Sequence, residues 1–366
     1  MTHGDDLERV LRDAFAAKAQ AAIGDDRVPP SVDLHSAPHL SARRGRFLAP
    51  LAAAAAVVLA AGLVFALRGS GTTDGHAGQR PGALGSTASR HASGQKTTSA
   101  SASPAAKAVH VRLKWSDGSQ FGVGVPVIAY LSRKITDARA FAAATSVTVD
   151  GTPVAGAWYF ETTNNEPGYP LEAHYRLQNY WPAHAKIAVK MPLQGLSAGP
   201  GLAYDDSLTL AFTTGAANIA TVSDATHTLT LVSDGRTVGT YPVSLGASNT
   251  PTSRGTKVIM EKGLSICMSG PGYHECNIKY TQRLTYGGEY LHAAPWNVGN
   301  LGKHDSSNGC TNLSTPDAAT LYTLLEIGDV VRYPDAHGPA LQLGQGYADW
   351  NVPWSVWLTG GAVPTR

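Results

Sequence analysis

The chain has 366 residues, 15% of them charged, and a net charge of +2. That length holds two or three domains. The near-neutral balance excludes the basic footprint of a nucleic-acid-binding protein and gives no pull toward acidic partners.

Residues 1–46 form a polar tail with one amphipathic helix at its start. Leu7, Val10, Leu11 and Ala14 fall on one helical face, and Pro29-Pro30 ends any regular pattern. Phe47–Leu67 is an uncharged apolar run of 21 residues, long enough to cross a bilayer as a helix. A cleaved signal peptide has a shorter apolar region and no 46-residue leader. Arg43, Arg44 and Arg46 precede the run and only Arg68 follows, so the positive-inside rule puts the N-terminus in the cytoplasm and the rest outside. No cysteine lies in or just after the run, so lipid anchoring has no support. Residues 68–107 are rich in Ser, Thr, Ala and Gly and read as a flexible linker.

From residue 108 the texture becomes β-rich. Val109–Trp115, Val123–Tyr130, Ser146–Val149 and Ala185–Lys190 read as strands, with Asp150-Gly151 as a turn. Strands at this spacing predict a β-sandwich over 108–215. Within it, the aromatic cluster of Tyr175–Pro182 reads as core rather than as a sugar platform. Strands continue at Ala220–Val222, Thr228–Val232 and Thr237–Val243, with Asp234-Gly235 as another turn.

Residues 286–313 carry the chemistry. They hold His292, His304 and Cys310, embedded in Gly, Ser and Asn. A free thiol is only a few per cent thiolate at neutral pH and needs a base to act as a nucleophile. A histidine within hydrogen-bond reach supplies one. Gly309 allows close backbone approach, so N–H groups around Cys310 can hold an oxyanion. The competing reading of a lone cysteine is a small buried hydrophobe. Loop composition favours function here. Ser314–Gly328 then reads as a capped helix, with Thr315 as cap, Pro316 in the first turn and Gly328 at its end. Leu321, Leu324 and Leu325 face the core, and the strand Asp329–Tyr333 follows.

The pentad His292-Ala-Ala-Pro-Trp296, and Ser307-Asn308-Gly309-Cys310-Thr311-Asn312 set fourteen residues after His292, resemble the active-site signature of the L,D-transpeptidases, the YkuD-type enzymes of actinobacterial kind with immunoglobulin-like modules. The resemblance covers roughly 108–366. Two positions depart from the family pattern. Ala293 stands where a serine is usual but keeps the backbone carbonyl that orients the base. Asn308 stands where a second histidine is usual and cannot be protonated.

The resemblance implies a mainly β protein: a single N-terminal transmembrane helix (47–67), an immunoglobulin-like domain (108–215), a catalytic domain with a short helix (216–334), and a C-terminal extension (335–366) that packs on the catalytic domain. It implies Cys310 as nucleophile, His292 as base, Gly309 and Cys310 N–H groups as oxyanion donors, and Tyr273, Trp296, Ser307, Asn308 and Asn312 around the substrate. The expected substrates are peptidoglycan stem peptides, joined into 3→3 cross-links outside the cytoplasm, in the cell wall. Carbapenems are expected inhibitors. No metal or organic cofactor is implied. An L,D-carboxypeptidase uses the same site with water as acceptor. A weakly active wall-binding protein, disabled by Asn308, and a secreted cysteine peptidase are further readings. Cys267 and Cys276 flank the family's substrate-covering lid, where a disulfide is expected. Two free thiols, or a zinc site with His274, are its rivals.

Overall fold

The computed structural model describes residues 106–366 apart from 164 and 271–272. The amphipathic tail, the apolar run 47–67 and the linker lie outside the described residues. Among those described, no helix is long and apolar enough to cross a membrane.

The first module runs through β1 (Lys107–Val109), β2 (Val111–Leu113), β3 (Gln120–Phe121), β4 (Val127–Leu131), the short helix α1 (Arg139–Ala144), β5 (Ser146–Val149), β6 (Thr152–Pro153), β7 (Gly156–Thr162), β8 (Leu171–Leu177), β9 (Lys186–Met191), β10 (Leu202–Tyr204) and β11 (Leu208–Thr214). A four-stranded sheet of order β2-β4-β8-β7 faces a five-stranded sheet of order β3-β11-β9-β5-β6. Alternation places Val147, Ile187, Val189, Leu210 and Phe212 of one sheet against Trp158, Phe160 and Ala173 of the other, all buried. Asp150 and Gly151 have φ of 49° and 80°, the left-handed pair that closes a two-residue hairpin between β5 and β6. The strand expected at Val123–Tyr130 begins only at Val127. Gly122 and Gly124 instead press against the second module. A Cβ on Gly122 would lie 2.2 Å from the Asp329 backbone nitrogen.

The second module contains β12 (Asn218–Ser223), β13 (Thr228–Ser233), β14 (Arg236–Pro242), β15 (Gly255–Val258), β16 (Glu261–Gly270), β17 (Tyr273–Arg283), β18 (Tyr290–Ala293), β19 (Thr311–Leu313), the helix α2 (Thr315–Leu324) and β20 (Val330–Tyr333). Its five-stranded sheet has the order β14-β13-β12-β20-β15 and its four-stranded sheet the order β16-β17-β18-β19. Leu229, Leu231, Ile259, Leu291, Leu313, Leu321 and Leu325 fill the core between them. Asp234 and Gly235, with φ of 46° and 78°, make the hairpin turn between β13 and β14.

The helix α2 differs from expectation at both ends. Its cap is Ser314, whose Oγ accepts the Asp317 N–H at 3.2 Å, and it stops at Leu324. Gly328, with φ of 96°, belongs to the next turn, where it meets Gly122.

The C-terminal extension also corrects an expectation. As far as Asn351 it lies between the modules: the Trp350 indole donates to the Gly124 carbonyl of the first at 2.8 Å, and Asn351 accepts the Thr256 N–H and donates to the Thr256 carbonyl of the second. Beyond that point it follows the first module through the short helix α3 (Trp354–Trp357). The Trp357 indole donates to the Ala157 carbonyl at 2.9 Å and stacks on Tyr159. Phe160 exchanges backbone hydrogen bonds with Gly360 and Ala362. The Arg176 guanidinium lies over Trp350, Trp354 and Trp357. The extension therefore ties the modules together, because its apolar residues find partners on both.

Candidate active site

The parallel pair β18–β19 builds the site. Register sets Leu291 opposite Thr311 and His292 opposite Asn312. Cys310, the residue before β19, therefore lies beside the strand that carries His292. Sheet geometry, rather than spacing in the chain, sets the two on neighbouring strands.

Three hydroxyls and two glycines fix the loop that delivers Cys310. Ser307 Oγ donates to the Cys310 carbonyl at 2.6 Å and accepts the Gly309 N–H at 3.1 Å. Thr250 Oγ1 donates to the Ser307 carbonyl, and Thr252 Oγ1 to the Gly309 carbonyl, both at 3.0 Å. Gly309 has φ of 103°, a region that only glycine adopts freely. Gly246 packs beneath, and a Cβ there would lie 2.1 Å from the Thr250 carbonyl oxygen.

The Cys310 sulfur is buried and faces the Gly288 carbonyl at 3.5 Å. Burial pushes its pKa up to about 12, and Glu289 adds to this. The Tyr290 N–H and the Lys257 ammonium pull the other way. His292 is also buried, and burial lowers its pKa below the usual value. Its Nδ1 donates to the Ala293 carbonyl at 2.9 Å. A carbonyl only accepts, so Nδ1 carries the proton and Nε2 is left as a base. The thiol and the imidazole, carried by neighbouring strands, thus both rest neutral. Such a pair suits proton transfer coupled to attack rather than a standing thiolate.

The expected surrounding residues separate into several situations. Trp296 is 63% exposed and stacks on the His292 ring, with centroids 6.1 Å apart. Asn312 is buried, exchanges backbone hydrogen bonds with Ser244, and its Oδ1 has no partner among the described residues. Ser307 turns inward as a loop latch. The Gly309 N–H that was expected as an oxyanion donor is taken up by that latch. Asn308 is exposed, and its side chain makes no hydrogen bond among the described residues, so it does not prop the loop. His304 is exposed too.

The β16–β17 hairpin rises next to this site. Cys267 and Cys276 are joined as a disulfide across it, where the pairing slips between Ile266 and Met268. His274 lies close to both sulfurs. Sulfurs joined to each other are not thiolate ligands, however, so the zinc reading of these three residues does not hold. Near the hairpin tip, the Tyr273 ring packs on Gly270, where a Cβ would lie 2.3 Å from it. Burial, and then the nearby Cys310, raise the pKa of the Tyr273 phenol.

Sequence reasoning missed the charged pair behind the thiol. Lys257 is fully buried, with Nζ 2.5 Å from Glu289 Oε2 and 3.8 Å from the centre of the Tyr333 ring. Glu289 also accepts the Ser253 N–H and hydroxyl, at 2.7 and 2.8 Å. The available signal was Lys257 itself, a charge that opens the apolar run Val258-Ile259-Met260.

The model of the L,D-transpeptidase catalytic domain (YkuD) matches residues 217–332, and that of a bacterial Ig domain matches 83–197. The chain is similar to L,D-transpeptidase 2 of Mycobacterium tuberculosis (strain CDC 1551 / Oshkosh), with 31% identity over 67% of this chain and 60% of that protein. It is similar to Probable L,D-transpeptidase 3 of M. tuberculosis (strain ATCC 25618 / H37Rv), with 30% identity over 58% of this chain and 82% of that one. It thus spans about 60% of the length of the first of these relatives. A solved structure of LD transpeptidase LdtMt1 in complex with imipenem aligns with a TM-score of 0.50 and 27% identity, covering 61% of this chain and 97% of that chain.

Proposed function

The chain belongs to the L,D-transpeptidase family, with a YkuD catalytic domain and a bacterial Ig domain, and on that premise we propose that it acylates Cys310 with a peptidoglycan stem peptide and passes the acyl group to an amine. The observation that carries this reading is the His292 tautomer. Its Nδ1 is tied to the Ala293 carbonyl, and it sits on the strand paired with the one that Cys310 opens.

In this reading His292 Nε2 takes the thiol proton as Cys310 Sγ attacks the carbonyl of the stem's third, diamino-acid residue. The Cys310 N–H and the Tyr273 hydroxyl stabilise the oxyanion. Collapse of the tetrahedral adduct expels D-alanine, whose amine receives the proton from His292. A side-chain amine of a second stem then attacks the thioester, loses its proton to His292, and frees the thiol as a 3→3 cross-link forms. Trp296 and Asn312 shape the pocket. The run 47–67 anchors the protein in the cell membrane, and residues 68–107 let the extracytoplasmic modules reach the wall. Carbapenems acylate the same sulfur.

Intact mass of the full-length chain with a carbapenem tests this. One covalent adduct is expected, and it is lost in Cys310→Ala. A folded protein that takes no adduct, or keeps it in Cys310→Ala, overturns the reading. Stem tetrapeptide with and without an acceptor amine then separates cross-linking from L,D-carboxypeptidase action.

A further inference from the structure

Behind Cys310 lies a charged pair that the thioester route does not use. Its acidic member, Glu289, sits in the chain between the two backbone groups that hold the sulfur. The Gly288 carbonyl faces Sγ at 3.5 Å, and the Tyr290 N–H donates to it. The carbonyl needs the S–H proton, whereas the N–H suits either form of the sulfur.

The Glu289 stem packs beside the Cys310 loop: a Cβ on Gly309 would lie 3.8 Å from Glu289 Cγ. Other contacts then fix the residue. Thr285 Oγ1 accepts the Glu289 N–H at 3.1 Å, Oε1 accepts the Ser253 N–H at 2.7 Å, and Oε2 accepts the Ser253 hydroxyl at 2.8 Å and the Lys257 ammonium at 2.5 Å. Lys257 Nζ lies over the Tyr333 ring, and the Tyr333 hydroxyl hydrogen-bonds Thr311 Oγ1, on the residue after Cys310, at 2.6 Å. The pair thereby braces both stretches of backbone that meet at the sulfur.

A carboxylate in this place opposes a second negative charge on the sulfur, and Lys257 offsets it only in part. Packing alone does not account for the two charges, because apolar residues of similar volume would serve it at least as well. The other titratable groups around Cys310 are His292, on the neighbouring strand, and the phenols of Tyr273, Tyr290 and Tyr333. Burial lowers His292 and raises all three phenols, so the four stay neutral in mild alkali.

We propose that Glu289, backed by Lys257, is a positioning residue that parks Cys310 as a protonated thiol on the Gly288 carbonyl. The proton then leaves only when His292 takes it as a bound carbonyl is attacked, and the sulfur stays inert toward passing electrophiles. This deepens the reading of Cys310 as the reacting sulfur and rests on it.

The test is the rate at which iodoacetamide alkylates the oxidised full-length chain from about pH 7 to 9.5, followed by intact mass. Cys310 is its one thiol once Cys267 and Cys276 are joined. Glu289→Gln keeps an oxygen for the Ser253 N–H but loses the charge. Its rate–pH curve is expected to move to lower pH, with alkylation at a given pH roughly threefold faster or more, the gain in thiolate outweighing the weaker nucleophilicity of a more acidic thiol. In Lys257→Met the carboxylate, still held by Ser253 and partly exposed, is left unopposed, and the curve is expected to move to higher pH. A merely structural pair would loosen the site in both variants and move both curves the same way. Such a common shift, or equal rates for the parent and Glu289→Gln, would overturn the proposal; where Lys257→Met fails to fold, Glu289→Gln against the parent decides. A parent that takes no carbapenem adduct would remove the thioester reading instead, while the alkylation comparison still reports on Glu289.

Discussion

Burial acts on Cys310 and His292 in opposite directions, raising the thiol to about 12 and lowering the imidazole. Both therefore rest neutral, and the pH profile of acylation should follow His292. Below the ordinary imidazole value of 6.5 the base becomes protonated and the rate falls. No separate limb is expected near the ~8.5 of a free thiol. Carbapenem acylation rates measured from pH 4.5 to 9 check this, and a limb near 8.5 in place of one below 6.5 would mean that a thiolate attacks unaided. The Lys257–Glu289 pair is the second residue-scale determinant. Removing one partner strands a buried charge, so Lys257→Met should cost about 3–5 kcal/mol. The double change Lys257→Met/Glu289→Leu should recover part of that loss in urea unfolding. Equal losses in the single and double variants would mean that the stranded Glu289 carboxylate costs nothing, against this account.

At the scale of elements, the β16–β17 hairpin is long, largely exposed and stapled at its pairing slip. Cross-linking residues nine apart is worth about 2–3 kcal/mol by chain entropy. That stabilisation is local, because few hairpin side chains reach the core. Reduction, or Cys267→Ser/Cys276→Ser, should speed amide exchange in 261–283 and slow acylation several-fold with little change in Tm. A matching fall in Tm would show that the hairpin is part of the cooperative core. The helix α2 follows β19 directly and so anchors the Cys310 loop. Ser314→Ala removes its cap and should cost about 1 kcal/mol, read by urea unfolding.

At the scale of the molecule, the modules meet over a buried polar cluster. His174 Nδ1 lies 2.7 Å from Asp349 Oδ1, with Glu172 and Glu161 nearby. Burial opposes a charge on His174, but Asp349, Glu172 and Glu161 outweigh it and raise the imidazole to about 10. A raised pKa means that the folded state holds the proton more tightly. The stability it contributes is full below pH 6.5 and is lost as pH climbs toward 10. Glu161 and Asp329, both raised to about 7 mainly by burial, lose theirs as pH rises to 7. Tm should therefore decline between pH 7 and 10, by an amount equivalent to on the order of 2 kcal/mol or more. His174→Gln should flatten that decline in thermal melts, and an unchanged slope would place the titration elsewhere.

Patterns local in the chain were legible in sequence. The Asp150-Gly151 and Asp234-Gly235 hairpins, most strands of both modules, and the region of α2 follow from turn chemistry and alternation, which depend on near neighbours. The family resemblance rested on a short motif, His292 through Asn312, whose residues are contiguous enough to read. Tertiary structure alone decided what depends on distant segments meeting. It turned the Gly309 N–H onto Ser307, set the Thr250 and Thr252 hydroxyls under the loop, and buried Lys257 against Glu289. It also carried the C-terminal chain from one module to the other, and gathered Asp224, Asp305 and His337 from three separate segments. A charge or hydroxyl in a strand pattern carries no mark of its partner, because the partner is chosen by sheet register and packing rather than by spacing along the chain.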